Sequence, residues 1–200
     1  MSYIDENKKK KSKLKWVILF LIVTFIFGTT MRVIKSNETG KSVTKDVVTK
    51  DVAIGVIIDA NQFSRITPEE LISIMGKTSD IDKWNYTSPN GQVYKATTYT
   101  YNNGVCYEFI VIDNSVVRFT FHSEKYNGVN GKSIKFNDTN DLLPMFAIAT
   151  SNSIKKVADT GVALRYHLVS DKIAEFWVVD IDKANKSFDT VKVTYNLNYF

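Results

Sequence analysis

The side chains able to carry chemistry in this chain are few and scattered. There is one cysteine, Cys106, and there are two histidines, His122 and His167. A catalytic thiol needs a neighbouring base that holds it as thiolate. Cys106 lies inside an apolar run, which predicts burial, and the nearest histidine in sequence is His122. A lone cysteine also excludes an intramolecular disulfide framework. Each histidine falls on an alternating segment, where a surface or satisfied half-buried imidazole is expected rather than a ligand. No His-x-x-x-His pair, no Cys-x-x-Cys and no Gly-rich phosphate loop is present. Glu69 and Glu70 adjoin one another, but successive helical positions point about 100° apart, so capping explains them better than paired acid–base work. Asp180-Ile181-Asp182-Lys183-Ala184-Asn185 has the start of a calcium loop without its central glycine or its glutamate at the twelfth position. A solvated hairpin loop is expected there. No catalytic residue, cofactor ligand or metal ligand is assigned.

What remains is aromatic. Trp84, Tyr86 and Tyr94 flank Ser88-Pro89-Asn90-Gly91, a strong turn signal. The turn predicts a connection that reaches the surface, with the three rings as a candidate binding surface. Aromatic rings supply contact area at little entropic cost.

The elements that position these residues begin at Trp16–Ile34, WVILFLIVTFIFGTTMRVI. Trp16 to Met31 carries no charge over sixteen residues. Nineteen helical residues span roughly 28 Å, near the hydrocarbon thickness of a bilayer. Arg32 can snorkel and Trp16 suits an interface. A cleaved signal peptide would want small residues at its end, whereas Met31 and Arg32 follow Gly28-Thr29-Thr30. Lys8, Lys9, Lys10, Lys11, Lys13 and Lys15 keep the N-terminus cytoplasmic. The expectation is a single-pass anchor at the cell membrane, contacting lipid through residues 16–34, with the rest outside.

Charge divides at that anchor. The whole chain carries a net +5, but residues 1–35 hold a net +6 and residues 36–200 a net −1. The basic balance belongs to the anchor and predicts no nucleic-acid partner. Residues 35–51 read as a linker, containing Val43-Thr44-Lys45-Asp46-Val47 followed directly by Val48-Thr49-Lys50-Asp51-Val52. Two five-residue copies make no solenoid.

Ile66-Thr67-Pro68-Glu69-Glu70-Leu71 predicts a helix to Met75. Thr67 is its N-cap, Pro68 its first residue, Glu70 completes a capping box, and Gly76 stops it. Leu71, Ile72, Ile74 and Met75 are its expected apolar side. Three strands follow, with Tyr99, Tyr101, Tyr107, Phe109, Val111, Val117, Phe119 and Phe121 at odd positions on one face. That parity favours a three-residue loop Asn102-Asn103-Gly104, pairing Tyr101 with Val105 and Tyr99 with Tyr107. It likewise favours Asp113-Asn114-Ser115, pairing Phe109 with Phe119. The opposite face carries Thr98, Thr100, Glu108, Arg118, Thr120 and His122 with Ile110 and Ile112, and is either wet or covers something.

This order of a short helix ending in glycine (ITPEELISIMGK), Trp84-Asn85-Tyr86 and a meander ending Val116-Val117-Arg118-Phe119 resembles the helix-then-sheet module of small outer-membrane-assembly lipoproteins and of the β-lactamase inhibitor protein. The resemblance covers about residues 64–123. It implies an αβ sheet used for protein contact and names no partner. Two departures stand out: an anchor replaces a lipidated cysteine, and Thr78 stands where a proline commonly follows the glycine.

Residues 138–200 suggest a second unit of like plan. It has a helix within Asp141–Ala149, limited by Pro144, then strands at Leu164–Leu168, Ile173–Ile181 and Val191–Leu197. The fold class expected is therefore α+β: an N-terminal single transmembrane helix and an extracytoplasmic domain of one or two helix-plus-three-strand antiparallel units. The divisions are a cytoplasmic basic tail 1–15, anchor 16–34, linker 35–51, first unit 52–137 and second unit 138–200. The function expected is a non-enzymatic binding module of the cell envelope, contacting an envelope protein or a wall polymer. The alternative is an envelope enzyme with a motif-less carboxylate site, such as a glycoside hydrolase.

Overall fold

The computed structural model describes residues 55–127 and 131–200. The basic tail, the Trp16–Ile34 anchor and the linker lie outside the described residues. Among the described residues no helix is long and apolar enough to cross a membrane.

The first regular element with a strong local cause is α1, Pro68–Met75. The Thr67 hydroxyl accepts from the Glu70 N–H at 3.3 Å, and the Glu70 carboxylate accepts from the Thr67 N–H at 2.8 Å. Two of the amide donors that every helix start leaves unpaired are thus satisfied reciprocally. Gly76, at φ 79°, closes the helix by donating its N–H to the Ile72 carbonyl. Leu71 is fully buried and Met75 packs against the core, but Ile72 and Ile74 are exposed. The apolar side is narrower than the sequence suggested, because only one edge of this two-turn helix meets the sheet.

Residues 80–87, expected as a surface connection, form the edge strand β1 (Asp80–Thr87). The turn at Ser88–Gln92 is as predicted: Ser88 and Gln92 bond through their backbones, and Gly91 takes φ 84°. Then come β2 (Val93–Asn103), β3 (Val105–Ile112) and β4 (Ser115–His122). Odd residues share one face except Val117, which the bulge opposite Ile110/Val111 turns to the other side, leaving Val116 in the core. The first hairpin, however, pairs Tyr101 with Tyr107 and Tyr99 with Phe109, two residues beyond the expected register. The tip is tighter because Gly104 alone, at φ 77°, turns the chain. The second hairpin pairs Phe109 with Phe119 as expected, yet its turn has two residues. Asp113 and Asn114 take φ 50° and 58°, the left-handed pair a tight hairpin requires, and a bulge at Ile110/Val111 absorbs the one-residue difference.

A short helix α2 (Glu124–Asn127) follows, and the remaining strands are β5 (Ile134–Lys135), β6 (Lys155–Asp159), β7 (Leu164–His167), β8 (Glu175–Val179), β9 (Ser187–Phe188) and β10 (Thr190–Thr194). No continuous helix fills Asp141–Ala149. Two 3₁₀ turns, Thr139–Asp141 and Pro144–Phe146, stand there instead. Pro144 has no N–H to continue a helix, and Ala147 swings to φ 55°.

Eight strands form one antiparallel sheet in the order β1-β2-β3-β4-β10-β8-β7-β6, and β5 and β9 make a separate pair. Strands from residues 52–137 and 138–200 thus lie in the same sheet, joined where β10 inserts between β4 and β8. One face carries the core. Phe109, Phe119, Phe121, Phe176, Val178, Val191 and Val193 point into it, closed over by Phe63, Leu71, Leu142, Phe146 and Phe188. Each fully buried ring of this kind stabilises the fold by about 1.5–3 kcal/mol. Tyr195 is buried with them and donates its hydroxyl to the Ala60 carbonyl at 2.7 Å, tying the last strand to the first described turn.

Candidate binding face

The opposite face of the sheet is built from the even residues of β1–β3 and β10, from Val117 and the even residues of β4 beyond it, and from the odd residues of β7 and β8. The register places Thr100, Glu108, Thr120, Lys192, Trp177 and Arg165 in one row across six strands. At about 4.8 Å per strand, that row is roughly 24 Å long. The next row runs Thr98, Ile110, Arg118, Thr194, Glu175 and His167. α2 contacts one end of this face, where Tyr126 stacks on His122 at 3.7 Å. The segment Leu197–Phe200 lies at the other end, where Phe200 covers the Arg118 guanidinium at 3.4 Å and also meets Tyr86 at 5.4 Å.

Two ionic groups are set into the face. Glu175 is fully buried. Its carboxylate accepts from Arg165 Nε at 2.6 Å and from Arg165 Nη2, with His167 Nε2 at 3.1 Å. The Thr194 hydroxyl reaches its other oxygen at 3.4 Å while accepting from Arg118 Nε at 3.1 Å. Burial pulls the Arg118 pKa below its ordinary value. The second group joins Glu108 to His122 Nε2 at 3.2 Å, and His122 Nδ1 to the Thr190 hydroxyl at 3.1 Å. That hydrogen bond holds the Glu108 carboxyl below its usual range against the opposing effect of burial.

Carboxylate, imidazole and hydroxyl in this order are the parts of a nucleophilic relay. Thr190, however, is 3% exposed at the start of β10, so no substrate carbonyl can approach its oxygen. Cys106 pairs with His122 across β3 and β4, but burial, helped by Glu108, pushes its thiol up to about 11. A thiol held protonated is a poor nucleophile. Trp177 lies between two cations, with Lys192 at 5.0 Å and Arg165 at 5.2 Å from its ring.

The three aromatic residues singled out from sequence occupy the β1–β2 end of this same face. They stand on paired strands and not on a loop: Tyr86 faces Tyr94, and Trp84 faces Ala96. Trp84 meets Tyr86 edge-on at 5.6 Å and donates its indole N–H to the Thr98 hydroxyl. Tyr94 meets Tyr199 at 4.9 Å. Tyr86 and Tyr94 are half-buried in a small cluster with Ala96, Ile112 and Val117, whereas Trp84 is 36% exposed beside a depression of about 470 Å³. Lys192, Trp177, Thr190 and Thr194 were not anticipated, although Thr190-Val191-Lys192-Val193-Thr194 alternates polar and apolar and marks β10 as a two-faced strand. In the Asp180–Asn185 stretch, the Asp182 carboxylate accepts from the Asn185 backbone and side chain, tightening a hairpin turn. Among the described residues, no three acidic, histidine or cysteine side chains gather closely enough to hold a metal.

No protein-family model matches this chain, and no curated protein matches it. Two solved structures share part of its arrangement. One is a cysteine-rich secretory protein from Staphylococcus aureus, 11% identical with a TM-score of 0.36, covering 67% of this chain and 45% of that one. The other is an extracellular protein containing an SCP domain from Bacillus anthracis, 13% identical with a TM-score of 0.36, covering 82% and 50%. The chain spans about half the length of these two structures.

Proposed function

We propose that this chain is a non-enzymatic interaction module of the cell envelope. Residues 16–34 hold it at the membrane, and the polar-aromatic face of its sheet is turned outward to an envelope protein or a wall polymer. The observation that carries the reading is the contrast between the two faces. One is filled with phenylalanine and covered; the other, across its middle, sets half-buried Thr98, Thr100, Glu108, Lys192 and Trp177 on a flat surface. A shallow sheet bearing aromatic anchors within a polar surround has the composition of a recognition surface.

The glycosidase alternative needs two carboxylates about 5–9.5 Å apart. Of the carboxylates on this face, Glu108 and Glu175 stand on strands separated by β4 and β10, which is three strand spacings or about 14 Å, and Asp80 and Asp82 stand exposed on the edge strand β1. The two glutamates are also engaged by neighbours, Glu108 by His122 and Glu175 by Arg165 and His167. The similarity to assembly lipoproteins and the inhibitor protein supports the same reading, since it implies a sheet used for contact.

The test is binding of the full-length chain to purified cell-wall sacculi and to detergent-solubilised envelope proteins, with Trp84→Ala beside the wild type. Retention that falls for the variant supports the proposal. Equal retention of both, or turnover of a glycan substrate, would overturn it. Protease added to protoplasts should remove the sheet domain and spare residues 1–15; a protected domain would sink the proposed topology.

A further inference from the structure

At the far corner of the sheet from Trp84 lies a cavity of about 500 Å³, lined by Arg65, Lys155, Val157, His167, Leu168, Ser170, Asp171, Ala174 and Leu197. Its volume falls within the range of small-ligand sites. Two of its walls are built unlike ordinary surface. Arg65 and Leu168 both hold left-handed backbone, φ 59° and φ 53°, a conformation costly for non-glycine residues that gathers at ligand clamps. Leu168 is fixed there by a tight turn: its N–H bonds the Ala174 carbonyl, Ser170 bonds Ile173 through the backbone, and the Ser170 hydroxyl accepts from Lys172 and Ile173. The turn holds an aliphatic side chain 57% exposed, with Val157 and Leu197 also exposed around the same cavity.

The polar side is cationic. Arg65 spends one donor on the Tyr195 carbonyl at 3.2 Å and has no carboxylate partner among the described residues, leaving most of its five N–H groups unused. Lys155 likewise has no ion-pair partner among the described residues, and it stands directly across from His167. Asp171 is the acidic residue of the lining.

We infer that this cavity is a binding site for the carboxylate end of a short aliphatic peptide. The unspent guanidinium fork of Arg65 matches a carboxylate in two-point fashion, and Lys155 adds charge. Val157, Leu168 and Leu197 supply the apolar wall for the side chain. A dianion such as phosphate would bring a second charge toward Asp171 and leave that wall idle. The site meets the face described above at His167 but takes a different ligand, and it does not depend on that face's proposed role.

Isothermal titration of the full-length chain with acetyl-Ala-Leu, the same peptide as its C-terminal amide, and inorganic phosphate decides the matter. The free carboxylate should bind with a Kd on the order of 0.1–1 mM, while the amide binds at least tenfold more weakly. Lys155→Met, on an exposed edge strand, should weaken the acid about tenfold. Leu168→Asn keeps a residue content with left-handed backbone, so it should fold normally while binding several-fold less. Trp84→Ala should leave this binding unchanged, which separates failure here from failure of the face. Equal affinity for acid and amide, phosphate binding as tight as the peptide's, or unaltered binding by both cavity variants would overturn the inference.

Discussion

The Arg165–Glu175 pair makes a prediction about which partner matters more to stability. Glu175 is 0% exposed at its side chain, whereas Arg165 is 40% exposed. Removing the arginine as Arg165→Met strands a buried carboxylate, and breaking a buried pair from that side costs 3–5 kcal/mol in general. His167 and Thr194 still reach the carboxylate, so the low end applies, about 3 kcal/mol. Removing the charge as Glu175→Gln leaves a cation that can turn to water. It also preserves the shape and an acceptor for Thr194, so only the charge-assisted part of the hydrogen bonding is lost, about 1 kcal/mol. For a domain of this size the melting temperature should fall by about 6–12 °C for Arg165→Met and about 2–4 °C for Glu175→Gln. Urea unfolding followed by Trp177 fluorescence measures both, and an unchanged m-value confirms that stability alone has moved. A glutamine variant as damaged as the methionine variant, or more so, would show that burial of the carboxylate does not set the asymmetry.

Thr67→Ala should cost about 1 kcal/mol and Thr67→Ser much less, because serine can accept the same Glu70 N–H; equal losses in denaturation would deny the cap its role. Glu108 has a folded-state pKa lowered by His122, so the stability it contributes is present above its unfolded value of about 4.5 and lost as pH falls through the lower folded value. Glu108→Gln should therefore flatten the acid limb of a stability–pH curve, and an unaltered limb would refute the assignment. Cys106, buried with its thiol near 11, should resist alkylation in the native chain and react promptly in urea, as mass spectrometry can follow.

Legibility in the sequence followed the range of the interactions. The α1 cap is local, six consecutive residues deciding it, and it appeared with both reciprocal bonds. Parity on β2–β4 is also local, since side chains alternate with period two whatever the turn. Register was less legible, because Gly104 shortens the first turn and the Ile110/Val111 bulge shifts the count and also reverses the alternation at Val116 and Val117. β1 escaped notice because Asp80, Asp82 and Lys83 interrupt any apolar pattern. Such charges suit an edge strand, where they discourage pairing with other chains. The Asp141–Ala149 helix was overestimated from composition, and Pro144 broke it. Alternation placed Glu108, Arg118 and His122 on one face, but Glu175, Thr190 and Thr194, which complete the two ionic groups, were not legible. Arg118 reaches Glu175 only through Thr194, and no pattern in the chain announces that β10 will lie between β4 and β8. Trp84, Tyr86 and Tyr94 were found by type, while their place on strands depended on the pairing of β1.

The position of β10 bears on the order of events during synthesis. Every other strand precedes β10 in sequence, yet it lies at the centre of the sheet. The meander β1–β4 can pair as it emerges, but β4 then ends in an open edge carrying Val117, Phe119 and Phe121. At 5–20 residues per second, the roughly 70 residues between His122 and Thr194 take about 4–14 s to make. For that interval the nascent chain presents an apolar edge of the kind that templates aggregation. A ribosome stalled within this window would hold a half-sheet whose β4 edge stays open until Thr190–Thr194 is made.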